Sequence, residues 1–306
     1  MKKVEVRRWP AMPVGTDTAA HTARAREVLQ DPNERPTLNT ERWNKKPIPK
    51  RITAFGVVGN GIGYDGGYSG LDVMFAPEYP AFAVMPFIEA QGIFIFENQW
   101  AANLGVGGRS MSDKIPAMVG FNAFYSFREG NHGGYHQLGI GAELIGRRWE
   151  LNANGYIPLG NTKHVRKCTF DDYIGDYKAV RKKKEKALFG GNIGLSLLAA
   201  QAGDFMLYAS GGPYFLTGKS AHPQVWGGQV AIQPQFGDYF ALSFIVSSDN
   251  YFGTLYQGGF VLSLPLYQFT KLKKPRVVTN RQIYQPVKRM IPIIPLEEHC
   301  CWKSNF

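Results

Sequence analysis

Long apolar runs are missing from this 306-residue chain. No stretch approaches the roughly 18 consecutive apolar residues a membrane-crossing helix needs, so a helical membrane protein is excluded. Cysteine is scarce. Cys168 lies in a basic segment, and Cys300 and Cys301 are adjacent near the end, an arrangement that makes no disulfide framework. No apolar segment follows Met1-Lys2-Lys3, so no secretory signal is read there. Charge is also scarce where it would matter most for a soluble fold. Segments 51–158 and 187–267 hold 7 Lys+Arg and 12 Asp+Glu, a net of −5, although the whole chain carries +11. The basic excess therefore sits in the first 50 residues, in one interruption and in the tail. That distribution argues against a nucleic-acid-binding body.

What the chain has is glycine (35 residues), aromatics (13%) and alternation. Along 117–127, Ala117, Val119, Phe121, Ala123, Tyr125 and Phe127 share one phase, and Gly120, Asn122, Phe124 and Ser126 share the other. Leu138, Ile140, Ala142 and Leu144 then alternate with Gly139, Gly141 and Glu143, and Trp149, Leu151 and Ala153 with Glu150, Asn152 and Asn154. A period of two is the signature of strands with two unlike faces. Twelve such runs are counted, at about 51–63, 68–77, 84–96, 99–110, 115–127, 134–145, 148–157, 187–199, 204–216, 223–234, 238–249 and 253–266. Most are separated by short Gly, Asn or Asp turns. An even number of ten-residue strands in meander order predicts an all-β, twelve-stranded antiparallel up-and-down barrel with extended termini.

The second phase decides the surroundings. A soluble barrel needs Lys and Glu on its outer face. Here the non-apolar phase is Gly, Asn, Ser and Gln with sparse charge, which suits a wet lumen with lipid outside. Expected in the lumen are Glu89, Asn103, Arg109, Asn122, Glu143, Glu150, Asn152 and Asn154. Expected toward lipid are Phe121, Tyr125, Leu138, Ile140, Trp149, Leu151, Phe260 and Leu262. The predicted organisation is a flexible, basic, Pro-rich arm over 1–50, with Thr16–Leu29 compatible with a short helix, a transmembrane barrel over 51–267, and a tail over 268–306. That tail is too poor in apolar residues to build a domain. About ten extended residues already cross the hydrocarbon, so the tail is long enough to thread the lumen. The interruption at 158–186, rich in Lys and Arg, reads as a solvated outer loop. A basic patch for anionic headgroups or host glycans is the sharper reading.

Chemical motifs are weak. Gly61-Ile62-Gly63-Tyr64-Asp65-Gly66 matches a dinucleotide fingerprint, but no helix pattern follows, and a Gly-rich hairpin is the better reading. His132 and His136 lack the glutamate of a zinc helix, and His299-Cys300-Cys301 reads as a tail with incidental thiols. Glu143 and Glu150 fall on adjacent strands in the inward phase, where a structural polar network is favoured over acid–base chemistry. No catalytic residue, metal or cofactor is expected.

Three blocks go beyond generic strands: Gly120-Phe121-Asn122-Ala123-Phe124-Tyr125, Gly134-Tyr135-His136-Gln137-Leu138-Gly139-Ile140-Gly141-Ala142-Glu143-Leu144, and Leu151-Asn152-Ala153-Asn154-Gly155-Tyr156-Ile157-Pro158-Leu159. They resemble the β-domain of inverse autotransporters, the intimin and invasin family, as do Asn103–Arg109 and Pro213-Tyr214-Phe215. The resemblance implies a barrel in the bacterial outer membrane with both ends periplasmic. It also implies a post-barrel linker, similar here to Gln285–Met290, returning through the pore to display an adhesive passenger toward a host-cell surface. Gln257, Gly259, Leu262 and Leu264 resemble the terminal-strand signal read by the barrel assembly machinery, and Phe306 is not expected to carry that signal because no strand leads into it. Gln137 stands where the family has Arg, Glu185-Lys186-Ala187-Leu188 lacks the family's Pro, and no passenger sequence follows. The expected partners are outer-membrane lipid and the assembly machinery, without nucleic acid. The alternatives are a porin-like channel and a soluble β-barrel carrier.

Overall fold

A computed structural model describes residues 48–77, 84–111, 116–130, 133–161, 163–165, 169–174, 177–218, 224–266, 278, 280–290 and 293–305. The basic arm before residue 48, including Thr16–Leu29, and His132 and Cys168 lie outside the described residues.

Twelve antiparallel strands close into a barrel. Seven come from the first half: β1 (Ile48–Val58), β2 (Gly67–Ala76), β3 (Met85–Ile95), β4 (Gln99–Met111), β5 (Ala117–Gly130), β6 (Gly133–Gly146) and β7 (Trp149–Leu159). A small outer sheet follows, with β8 (Lys163–Val165), β9 (Thr169–Ile174) and β10 (Tyr177–Ala187). The barrel then resumes with β11 (Phe189–Ala202), β12 (Phe205–Thr217), β13 (Gln224–Phe236), β14 (Phe240–Asp249) and β15 (Gly253–Pro265). Strand β15 closes on β1 in register from Arg51↔Pro265 to Val58↔Gly258, and β7 pairs directly with β11 across the inserted sheet. Closure leaves no sheet edge, which is the condition for backbone N–H and C=O groups to lie in hydrocarbon.

The alternation sorts side chains as the pleat requires. Phe121 is 65% exposed, Ile140 52% and Leu262 50%, whereas Glu89 and Arg109, on the inner face, are fully buried. An outer surface this apolar is a liability in water and the driving force for residence in lipid. Aromatic pairs collect toward both rims, as expected where a membrane meets water. At the rim opposite the barrel termini, the far rim, Trp100 meets Phe127 at 4.7 Å and Phe215 meets Trp226 at 4.2 Å, each pair tilted. At the near rim, Phe236 lies between Phe205 and Phe240.

Three expectations are corrected. The run 51–63 ends as a strand at Val58, because positive φ at Gly59, Gly63, Gly66 and Gly67 folds the rest into a tight turn. Among the described residues, the interruption 158–186 is not a bare loop but supplies β8, β9 and β10. The tail, too, contributes regular structure: a helical turn at Asn280–Ile283 and a strand, β16 (Pro295–Asn305). Strand β16 pairs antiparallel with the whole of β10, from Tyr177↔Asn305 to Ala187↔Pro295. A strand therefore does lead into Phe306, but it belongs to the outer sheet and not to the barrel.

Candidate functional site inside the barrel

Residues 283–290 and 293–294 lie within the barrel, and inward side chains of β3, β4, β5 and β7 hold them by their backbone. Arg109 on β4 donates from Nη1 to the carbonyls of Ile283 (2.7 Å) and Gln285 (2.8 Å). Val287 N–H donates to Glu89 Oε2 on β3 (3.0 Å), and Asn154 on β7 donates to Lys288 O (3.0 Å). Met290 N–H donates to Tyr156 Oη (2.7 Å), and Arg128 on β5 donates to Ile293 O (2.6 Å). Leu188 N–H reaches Ile294 O at 3.1 Å, just before β16 joins β10. Six backbone groups of the segment are thus bound by wall side chains and a seventh by the Leu188 amide, which meets the need of buried amides and carbonyls for partners where the chain is irregular.

Side-chain contacts add register. Lys288 Nζ lies 2.6 Å from Glu150 Oε2, and Arg289 donates to Ser126 Oγ while stacking 4.1 Å from the Phe124 ring centroid. The anchor itself is anchored. Arg109 forms a two-point pair with Glu143, Nε–Oε1 at 2.6 Å and Nη2–Oε2 at 3.3 Å, and lies over the Phe87 ring. Glu89 also accepts from Gln91, which accepts from Asn103. Glycines on the inner face make room for these groups. Phe124 lies over Gly105, and Asn122 and Asn154 close over Gly141.

Apolar clusters pack on the segment toward both ends. Near the barrel termini, Val278, Ile283, Tyr284 and Val287 pack with Met74, Met85, Phe87, Met118 and Ile145. Toward the far rim, Met290 and Ile294 pack with Ile62, Leu188, Tyr214, Leu216 and Val225. The helical turn locks on the near-rim turns through Gln282 to Gly146 O (2.7 Å) and Arg281 to Gln235 and Asp238.

Every polar residue expected in the lumen lies on the inner face. Asn103, Glu143, Glu150 and Asn152 are buried like Glu89 and Arg109, and Asn122 and Asn154 are half-buried. Phe121, Tyr125, Leu138, Ile140, Leu151, Phe260 and Leu262 are exposed outside, with Trp149 half-buried at the near rim. Glu143 and Glu150 do not form a carboxylate pair, because each faces a cation instead, Arg109 and Lys288. His136 shares a 2.6 Å hydrogen bond with Tyr125 Oη in the outer aromatic band. Among the described residues no group of three or more metal-ligating side chains occurs. In β15, Gln257 turns inward to donate to Tyr64 Oη (2.6 Å), while Leu262 and Leu264 point outward. Gln137 reaches Leu188 O at 3.4 Å, and Glu185 accepts from Tyr135 Oη at 3.0 Å. Arg128 and Tyr156 were missed as site residues. Tyr156 shares the phase of Asn152 and Asn154, so its inward placement was readable, whereas Arg128 lies one residue past the run counted at 115–127, on a strand that continues to Gly130.

A closed barrel with an apolar exterior, aromatic rims and a charged interior defines a bacterial outer-membrane β-barrel. The family model for the inverse autotransporter β-domain matches residues 90–254. The chain belongs to that family and is an outer-membrane translocator barrel, a class that resides in outer-membrane lipid and is assembled by the barrel machinery. No curated protein matches it. Among solved structures, a membrane protein from a study of in-meso crystallization is 17% identical, covering 81% of this chain and all of its own, with a TM-score of 0.55. The KdgM porin is 6% identical over 70% of this chain and 99% of its own, with a TM-score of 0.40. The translocator domain of autotransporter NalP from Neisseria meningitidis is 13% identical over 80% and 95%, with a TM-score of 0.31.

Proposed function

We propose that the barrel holds its own C-terminal segment as a resident linker and presents whatever that linker carries at the cell surface. In this reading the near rim is periplasmic and the far rim extracellular. The observation that carries it is the series of wall-to-backbone hydrogen bonds from Ile283 to Ile294. Backbone recognition suits a segment drawn through a pore, because it holds an extended chain whatever its side chains are. The antiparallel pairing of β16 with β10 supports an outward course, since it draws the emerging chain along the outer sheet. The apolar clusters at both ends oppose a wide-open porin. Adhesion to a host surface would then be a property of a passenger beyond the linker. Gln257, Gly259, Leu262 and Leu264 serve the assembly machinery as the signal on β15, the strand that closes the barrel.

An epitope fused after Phe306 tests the reading. It should be labelled on intact cells and removed by added protease while the barrel stays resistant. Labelling only after the outer membrane is permeabilised would contradict it.

A further inference from the structure

The segment in the lumen does not fill it. Two cavities, of about 210 and 200 Å³, lie beside it along the β11–β15 side. The first, toward the far rim, is lined by Asn152, Asn192, Ser210 and Gln229, with Lys288 and Arg289 from the segment. The second, toward the near rim, is lined by Gln233, Gln235 and Ser263, with Arg51, Glu150 and Arg281. The first is lined mainly by polar groups and the second mainly by apolar surface among its charged and amide side chains, and each has room for several waters. Ser196 and Lys288 line both. Lys288 Nζ spans the lumen between Glu150 Oε2 on β7 (2.6 Å) and Ser196 Oγ on β11 (3.2 Å). The Lys288 side chain, bonded to Glu150 and Ser196, therefore stands where the two chambers meet.

We propose that the linker-filled barrel conducts small ions along its β11–β15 side, with Lys288 as the gate and an anion as the favoured ion. A lysine on four rotatable bonds, its side chain 42% exposed, swings aside without disturbing the backbone contacts on the opposite wall. The far chamber has Lys288 and Arg289 on its lining and no carboxylate, and a low-dielectric passage of one sign concentrates the opposite ion. In the near chamber Arg51, Arg281 and Lys288 outnumber Glu150 and Asp238. The inference rests on the reading of Ile283–Ile294 as the resident linker.

The test is single-channel recording of the full chain in a planar bilayer under a KCl gradient. Small steps with a reversal potential on the chloride side are expected. Lys288→Ala should raise conductance several-fold and weaken selectivity, Lys288→Glu should turn selectivity toward potassium, and Ser196→Phe should cut conductance several-fold. A bis-maleimide cross-link between Lys288→Cys and Asn154→Cys, with Cys168, Cys300 and Cys301 changed to Ser, reports the linker independently. If the cross-link forms but the bilayer is silent, or if the Lys288 variants conduct like the wild type, the conduction path is refuted and the linker reading survives. If no cross-link forms and the unmodified protein opens as wide as one lacking 271–306, the linker reading fails and the gate with it.

Discussion

The two halves of the barrel wall share a fold but not a chemistry. Strands β1–β7 carry nine Asp, Glu, Lys or Arg residues, whereas β11–β15 carry one, Asp249 at the end of β14. Among the described residues, the wall side chains bonded to the backbone of 283–290 and 293 come from the first wall. The second presents Ser210, Gln229, Gln233 and Ser263 across the cavities. Both walls satisfy their own backbone by the same ladder, so barrel closure does not require the difference. The charged wall grips, and the neutral wall gives clearance. A segment bound on all sides would be immobile, and one bound on none would leave an open pore.

The contrast is broken most severely at Arg109. Arg109→Leu leaves Glu143 buried without its cation and two segment carbonyls without a donor. It should cost about 3–5 kcal/mol in urea unfolding of the detergent-solubilised barrel. Arg109→Leu with Glu143→Leu should recover much of that loss, since removing both charges avoids an uncompensated one. Next is Ile140→Arg, which places a charge on the lipid face of the gripping wall and should cost about 2–4 kcal/mol, read as loss of heat-modifiable migration. Tyr156→Phe should be milder, leaving Met290 N–H without its acceptor at about 1–3 kcal/mol and making the segment more sensitive to protease. Smallest is Gln233→Ala on the neutral wall, expected within about 0.5 kcal/mol of the parent in the same unfolding assay. If Gln233→Ala were as costly as Tyr156→Phe, the division between walls would not hold.

Much of this was legible from periodicity. Alternation located the twelve barrel strands to within a few residues and placed Glu89, Arg109, Glu143 and Asn154 on the inner face, because a period of two assigns faces without knowledge of partners. It did not show what those residues hold. The bonds from Arg109 to Ile283 and Gln285 join positions 174 and 176 apart and engage backbone atoms, which leave no trace in side-chain pattern. The inward apolar cluster of Met74, Met85, Phe87 and Met118 was hidden for a related reason. Near the rim both phases of a strand are apolar, and the alternation that identifies a wet lumen fades. The outer sheet was missed because β10 is built from Tyr177–Ala187, a run of Arg and Lys with low strand propensity that forms a strand by pairing with β16, more than a hundred residues later.

The central claim is that the wall holds the segment by its backbone, and amide hydrogen exchange of the folded barrel in detergent tests it most directly. Peptides covering 284–294 should show the Val287 and Met290 amides exchanging orders of magnitude more slowly than in a free chain, in keeping with their bonds to Glu89 and Tyr156. Exchange of both at the free-chain rate while the barrel strands stay protected would contradict the account.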